Sequence, residues 1–201
     1  MKRVITVLAL VCSMLLPVAI ADTRQTKCKY KDICTEIIPM IGVQPDITMS
    51  AFGKDLNTNA GFAVGLECFR YINEYFALGF GGSYSLPRKF REKEDSPGTI
   101  SFMPFYVSAK LCTTVGKFEN TYMFLSPRVG YITPIMRDSN FKSTKGGLCY
   151  GLSLGVCIDY LVFQVTYLVS EFTYKKSSLD NADRSKCRCS AIAFSVGFRF
   201  Y

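Results

Sequence analysis

The chain has 201 residues, 49% of them hydrophobic and 20% charged, with a net charge of +8 and neither His nor Trp. That length holds one domain, or two only if both are small, and a chain with 16 Phe and 12 Tyr is not a disordered one. Without His, every Ser-His-Asp or Cys-His mechanism is excluded, along with the commonest metal ligand.

The first 21 residues read as an address. Met1, Lys2 and Arg3 form a basic start, residues 4–16 an apolar run too short to span a bilayer, and Ala19-Ile20-Ala21 a small-x-small cleavage site. Cleavage after Ala21 is expected, with Ala19 and Ala21 as the signal peptidase site. A basic, Cys-containing segment (residues 22–35, with Lys27, Lys29 and Lys31) then precedes a barrel domain over residues 36–201.

From there the pattern has a period of two, as in strands that send successive side chains to opposite faces. The opening strand, about residues 36–52, is interrupted by Pro39 and Pro45. Next, Phe62, Val64, Leu66 and Cys68 oppose Gly61, Ala63, Gly65 and Glu67. Then Phe76, Leu78, Phe80, Tyr84 and Leu86 oppose Ala77, Gly79, Gly81, Ser83 and Ser85. Residues 99–113 turn Tyr106, Ser108 and Lys110 to the polar face, and residues 121–133 turn Arg128 there. The cleanest alternation sets Leu148, Tyr150, Leu152, Leu154, Val156, Ile158 and Tyr160 against small or polar neighbours. Residues 161–174 place Gln164, Thr166 and Ser170 on the polar face, and the last strand sets Ile192, Phe194, Val196, Phe198 and Phe200 against Ala193, Ser195, Gly197 and Arg199.

Eight strands result, joined by connections that alternate between longer charged loops and shorter turns, the asymmetry of a transmembrane barrel. A lipocalin-like carrier would turn the apolar face inward. Eight strands leave an interior barely wide enough for the barrel's own side chains, with no room for the many large apolar ones beside a ligand, and a Gly, Ala and Ser surface would keep a soluble protein poorly dissolved. Turned outward, the large residues meet lipid, the closed sheet has no edge, and Tyr71, Tyr75, Tyr84, Tyr150 and Tyr160 suit interfacial girdles. The expected fold is therefore all-β: an eight-stranded antiparallel transmembrane up-and-down barrel in the bacterial outer membrane, both termini periplasmic.

Phe102-Met103-Pro104-Phe105-Tyr106-Val107, Ser126-Pro127-Arg128-Val129-Gly130-Tyr131 and the ending Phe194-Ser195-Val196-Gly197-Phe198-Arg199-Phe200-Tyr201 carry a resemblance. Residues 36–201 resemble the small OmpA/OmpX-like outer-membrane β-barrel proteins. The resemblance implies a terminal aromatic recognised by the barrel-insertion machinery. This chain departs from the pattern in placing Tyr201 one residue beyond the apolar parity and in lacking girdle Trp.

Candidate functional residues fall into three groups. Cys12 leaves with the signal; of the rest, Cys28, Cys34, Cys112, Cys149, Cys157, Cys187 and Cys189 are candidate disulfide cysteines, as exported thiols usually are, whereas Cys68 points to lipid. No C-x-x-C or His supports a metal site, and no cofactor is expected. Glu67, Lys110, Arg128 and Arg199 form an inward charge network, either a salt-bridged plug or the lining of a narrow pore. Basic residues in loops 87–98 and 175–189, such as Arg88, Lys89, Arg91, Lys175, Lys176, Lys186 and Arg188, suit lipopolysaccharide phosphates or an extracellular ligand. Nucleic acid is not an expected partner, and with no acid pair or His the chain is not expected to be an enzyme. The expected role is structural or surface-interacting through loops 87–98, 134–146 and 175–189, with a small passive pore or a soluble binding barrel as alternatives.

Overall fold

Period-two alternation becomes a closed sheet in a computed structural model that describes residues 35–51, 54–90, 99–114, 121–137, 141–176 and 184–200. The expected signal peptide, Cys28, Cys34 and Tyr201 lie outside the described residues. In chain order the strands are β1 (Thr35–Gln44), β2 (Thr48–Ala51), β3 (Lys54–Asn57), β4 (Gly61–Asn73), β5 (Phe76–Ser85) and β6 (Arg88–Lys89). They continue as β7 (Thr99–Thr114), β8 (Thr121–Arg137), β9 (Phe141–Lys145), β10 (Gly147–Ile158), β11 (Leu161–Lys176) and β12 (Arg184–Phe198). Eight are staves: β1, β4, β5, β7, β8, β10, β11 and β12 pair antiparallel in that order, and β12 returns to β1 through Met40↔Gly197 to Val43↔Phe194. Closure leaves no edge among the staves.

Which way the sheet faces is settled by exposure. Phe80 is 65% exposed and Val107 60%, whereas Glu36 and Lys110 are at 0%, the reverse of a soluble core. The outward row Leu148–Tyr160 spans 13 residues along β10 and the following turn, about 40 Å of strand, or about 28 Å once tilted by roughly 45°. That matches the apolar band of an outer-membrane barrel, about 25 Å tall.

Local departures from the alternation have physical causes. The opening strand stops at Gln44, before Pro45, and residues beyond it form the hairpin β2–β3, which pairs onto β12 through Met49↔Cys189. The β1–β12 ladder lapses between Met40↔Gly197 and the Ile37↔Phe200 bridge, around Pro39, which has no N–H to donate. The expected loops 134–146 and 175–189 are largely strand: β8 runs to Arg137, β9 pairs with β11, and β12 starts at Arg184. At the opposite end, β10 and β11 are joined by a two-residue turn in which Asp159 adopts φ 54°, a left-handed conformation that Asp tolerates better than most residues.

Candidate functional site: the lumen

Glu67, Lys110, Arg128 and Arg199 all point inward and are buried, but they do not form one network. At mid-lumen, Arg128 Nη1 meets Glu67 Oε1 at 3.0 Å. Tyr106 donates its hydroxyl to the same oxygen at 2.7 Å, and its ring lies 4.5 Å beneath the guanidinium. Gly81 faces this pair across β5; a Cβ there would stand 2.8 Å from the Tyr106 ring and 2.9 Å from Glu67 Cγ, so the close approach requires glycine.

Toward the short-turn end, Lys110 pairs with a residue the sequence pattern did not single out. Its Nζ donates to both oxygens of Glu36, at 3.0 and 3.1 Å. Tyr71 donates to Glu36 Oε2 at 2.6 Å and Tyr122 to Oε1 at 3.2 Å. Phe69 and Phe124 present their rings to the ammonium at 4.8 and 4.6 Å. Tyr71, expected in an interfacial girdle, is thus an inward ligand of a carboxylate, because it shares the parity of Glu67 and Phe69 and not of the lipid-facing residues. Arg199 donates through Nη2 to the Asp159 carbonyl beneath the turn and lies over the Tyr122 ring.

An apolar cluster occupies the lumen at each end. Ile38, Phe69, Phe124 and Val162 belong to the one at the short-turn end. Ile47, Met49, Ile100, Phe102 and Phe172 belong to the one at the long-loop end, where residues around the β2–β3 hairpin turn inward. Between them lies a cavity of about 50 Å³ whose lining includes Gly42, Gln44, Ser83, Arg128, Gln164 and Ser195.

Arg88, read from sequence as a loop charge, is 3% exposed beside this region, its Nη2 donating to Gln44 Oε1 at 2.5 Å. Gly61 lies against it; a Cβ there would come within 2.8 Å of Arg88 Nε.

The six described cysteines are all free. Cys149, Cys187 and Cys189 are buried in the long-loop cluster and Cys157 in the other, with Cys112 packed against that one. Cys149 and Cys189 both pair with Ser170, so two strand spacings separate them, about 10 Å and beyond disulfide reach.

No family model matches this sequence, and no characterised protein matches it significantly in sequence. Solved structures do resemble the fold. The chain is similar to outer membrane protein OprG from Pseudomonas aeruginosa, at 12% identity and TM-score 0.50, over 84% of this chain and 96% of that one. It is similar to Neisserial surface protein A at 13% identity and TM-score 0.52, covering 82% and 97% respectively. It is similar too to outer membrane protein AlkL, solved in lipid bilayers, at 14% identity and TM-score 0.53, covering 89% and 95%. The fold of this chain is that of the small bacterial outer-membrane β-barrels.

Proposed function

We propose that the chain is an integral outer-membrane barrel with a packed lumen, exported by its signal peptide, and that it acts structurally or as a surface-interaction protein. The observation that carries this reading is the filling of the lumen: an apolar cluster near each end and, between them, charges that are largely paired to one another. Buried ion pairs with hydrogen-bonded partners are what a plug needs and what a conduit avoids. The exposed apolar belt supports residence in lipid and, with the fold, the outer membrane.

Lipopolysaccharide is the expected lipid partner. Lys145 and Lys186 both pair with Thr173, and Arg188 pairs with Glu171 and donates to the Tyr150 hydroxyl at 3.4 Å. These basic side chains are exposed on the outward face, at the long-loop end of the belt, where phosphates of an outer leaflet would sit. The barrel-insertion machinery is the partner implied by the aromatic-rich last strand, and the segments at the long-loop end are the surface offered to an extracellular ligand.

Planar-bilayer recording tests the plug. The refolded protein should give no stepwise conductance; stable steps whose ion selectivity changes with Lys110→Glu would install the pore reading instead. Recovery from a soluble periplasmic fraction, with no heat-dependent shift on a denaturing gel, would overturn the membrane assignment.

A further inference from the structure

Among the described residues, the long-loop half of the lumen carries more positive charge than its carboxylates balance. Arg88 and Arg128 are 3% and 6% exposed. Glu67 pairs with Arg128, but among the described residues no carboxylate pairs with Arg88, which has only the neutral amide of Gln44. Arg88 Nε and Nη1 and Arg128 Nε and Nη2 are buried with no acceptor. Among the described residues, two guanidiniums against one carboxylate leave a single uncompensated charge, and a buried charge is costly until a counter-charge meets it.

The cavity lies where that counter-charge is needed. Arg128 and Gln164 line it directly, and so does Gln44, which holds Arg88. Ser83 and Ser195 add hydroxyl donors to its wall. Gly42 and Gly65 also line it, where the neighbouring strand comes close: a Cβ on Gly42 would stand 2.5 Å from Ser195 Oγ, and one on Gly65 3.2 Å from Ser83 Cβ. A volume of about 50 Å³ admits a small ion with one or two waters, each water needing roughly 10–15 Å³. Water alone would satisfy the N–H groups and leave the charge in place.

We propose that this cavity binds one monovalent inorganic anion of about the size of chloride, held by Arg128 and facing Gln44, through which Arg88 adjoins the site, and that the anion neutralises the long-loop half of the lumen. Gln164 Oε1 has no donor in the structure; half a turn of its amide points Nε2–H at the anion instead. The ion is a structural ligand of the folded barrel, with an apolar cluster toward either end of the lumen.

The test uses the refolded full barrel in detergent, in sodium chloride and in sodium gluconate of equal ionic strength, since gluconate is too large for the cavity. Chloride should raise the thermal midpoint by roughly 2–4 °C, the shift that linkage gives for a ligand binding only the folded state. Arg88→Gln should lose that shift and be no less stable than the unchanged protein in gluconate. Ser195→Val, which fills the cavity without removing either arginine, should lose it too. Crystals grown in bromide should show an anomalous peak beside Arg128. Equal midpoints in the two salts, a shift that survives both substitutions, or bromide confined to surface lysines with water in the cavity would each overturn the proposal.

Discussion

The short-turn end of the lumen and its middle treat a buried acid–base pair in opposite ways. Each holds an acid–base pair at 3.0 Å, Lys110 with Glu36 and Arg128 with Glu67. Around Glu36, two tyrosine hydroxyls and the ammonium meet its oxygens, and aromatic rings flank the lysine. Around Arg128, two guanidinium nitrogens stay unmet and a cavity adjoins them. Buried pairs stabilise only when surrounding hydrogen bonds offset desolvation. The Glu36–Lys110 pair is met by hydrogen bonds on both carboxylate oxygens, while the Arg128–Glu67 pair keeps room in reserve on the long-loop side.

That contrast is broken most sharply at Glu36. Glu36→Ala strands Lys110, at 0% exposure, and should cost about 3–5 kcal/mol in urea unfolding of the lipid-refolded barrel. The double replacement Glu36→Leu with Lys110→Met should recover most of the loss, because an apolar pair of similar volume needs no counter-charge. A double variant as unstable as the single one would mean that hydrogen bonds from Tyr71 and Tyr122, not the ion pair, hold this end. Glu67→Gln is the matching change at mid-lumen and should cost less, about 2–3 kcal/mol, since water entering the adjoining cavity can reach Arg128. Equal losses at Glu36 and Glu67, measured by the same urea titration, would erase the distinction between the two pairs.

How much of this was legible follows from which interactions are periodic. The stave order and the inward facing of Glu67, Lys110, Arg128 and Arg199 came through because parity is local: each residue's face is set by its immediate neighbours. The partner of Lys110 did not, since Glu36 lies 74 positions away and no local pattern reports a contact across the lumen. Glu36 does share its parity with Ile38 and Met40, but Pro39 and Pro45 blurred the strand that would have displayed it. Tyr71 was misplaced because a strand-end tyrosine suits a girdle as well as a lumen, and only the parity with Phe69 separates the two. Arg88 was beyond reach for another reason. It lies in a two-residue strand, too short for any period, inside a stretch whose charges otherwise read as solvated loop.

The smallest effects resolve the comparison most finely, because they probe space and not charge. Gly79 lies in the packed end, where a Cβ would stand 2.3 Å from the Cys68 carbonyl and 2.5 Å from the Phe69 ring. Gly79→Ala must move backbone and should cost about 1–2 kcal/mol. Gly65 lines the cavity, and its nearest obstacles are the Gly82 carbonyl and Ser83 Cβ, both at 3.2 Å. Alanine there needs shifts of only a few tenths of an ångström. It also removes freedom from the unfolded chain, a gain of about 0.4–1 kcal/mol where the backbone is compatible. The two contributions nearly cancel, so the Gly65→Ala unfolding midpoint should stay within about 0.5 kcal/mol of the unchanged protein. If both glycines prove equally intolerant, the space beside Arg128 is as fully used as the rest of the lumen, and the reserve assigned to the long-loop end is already occupied.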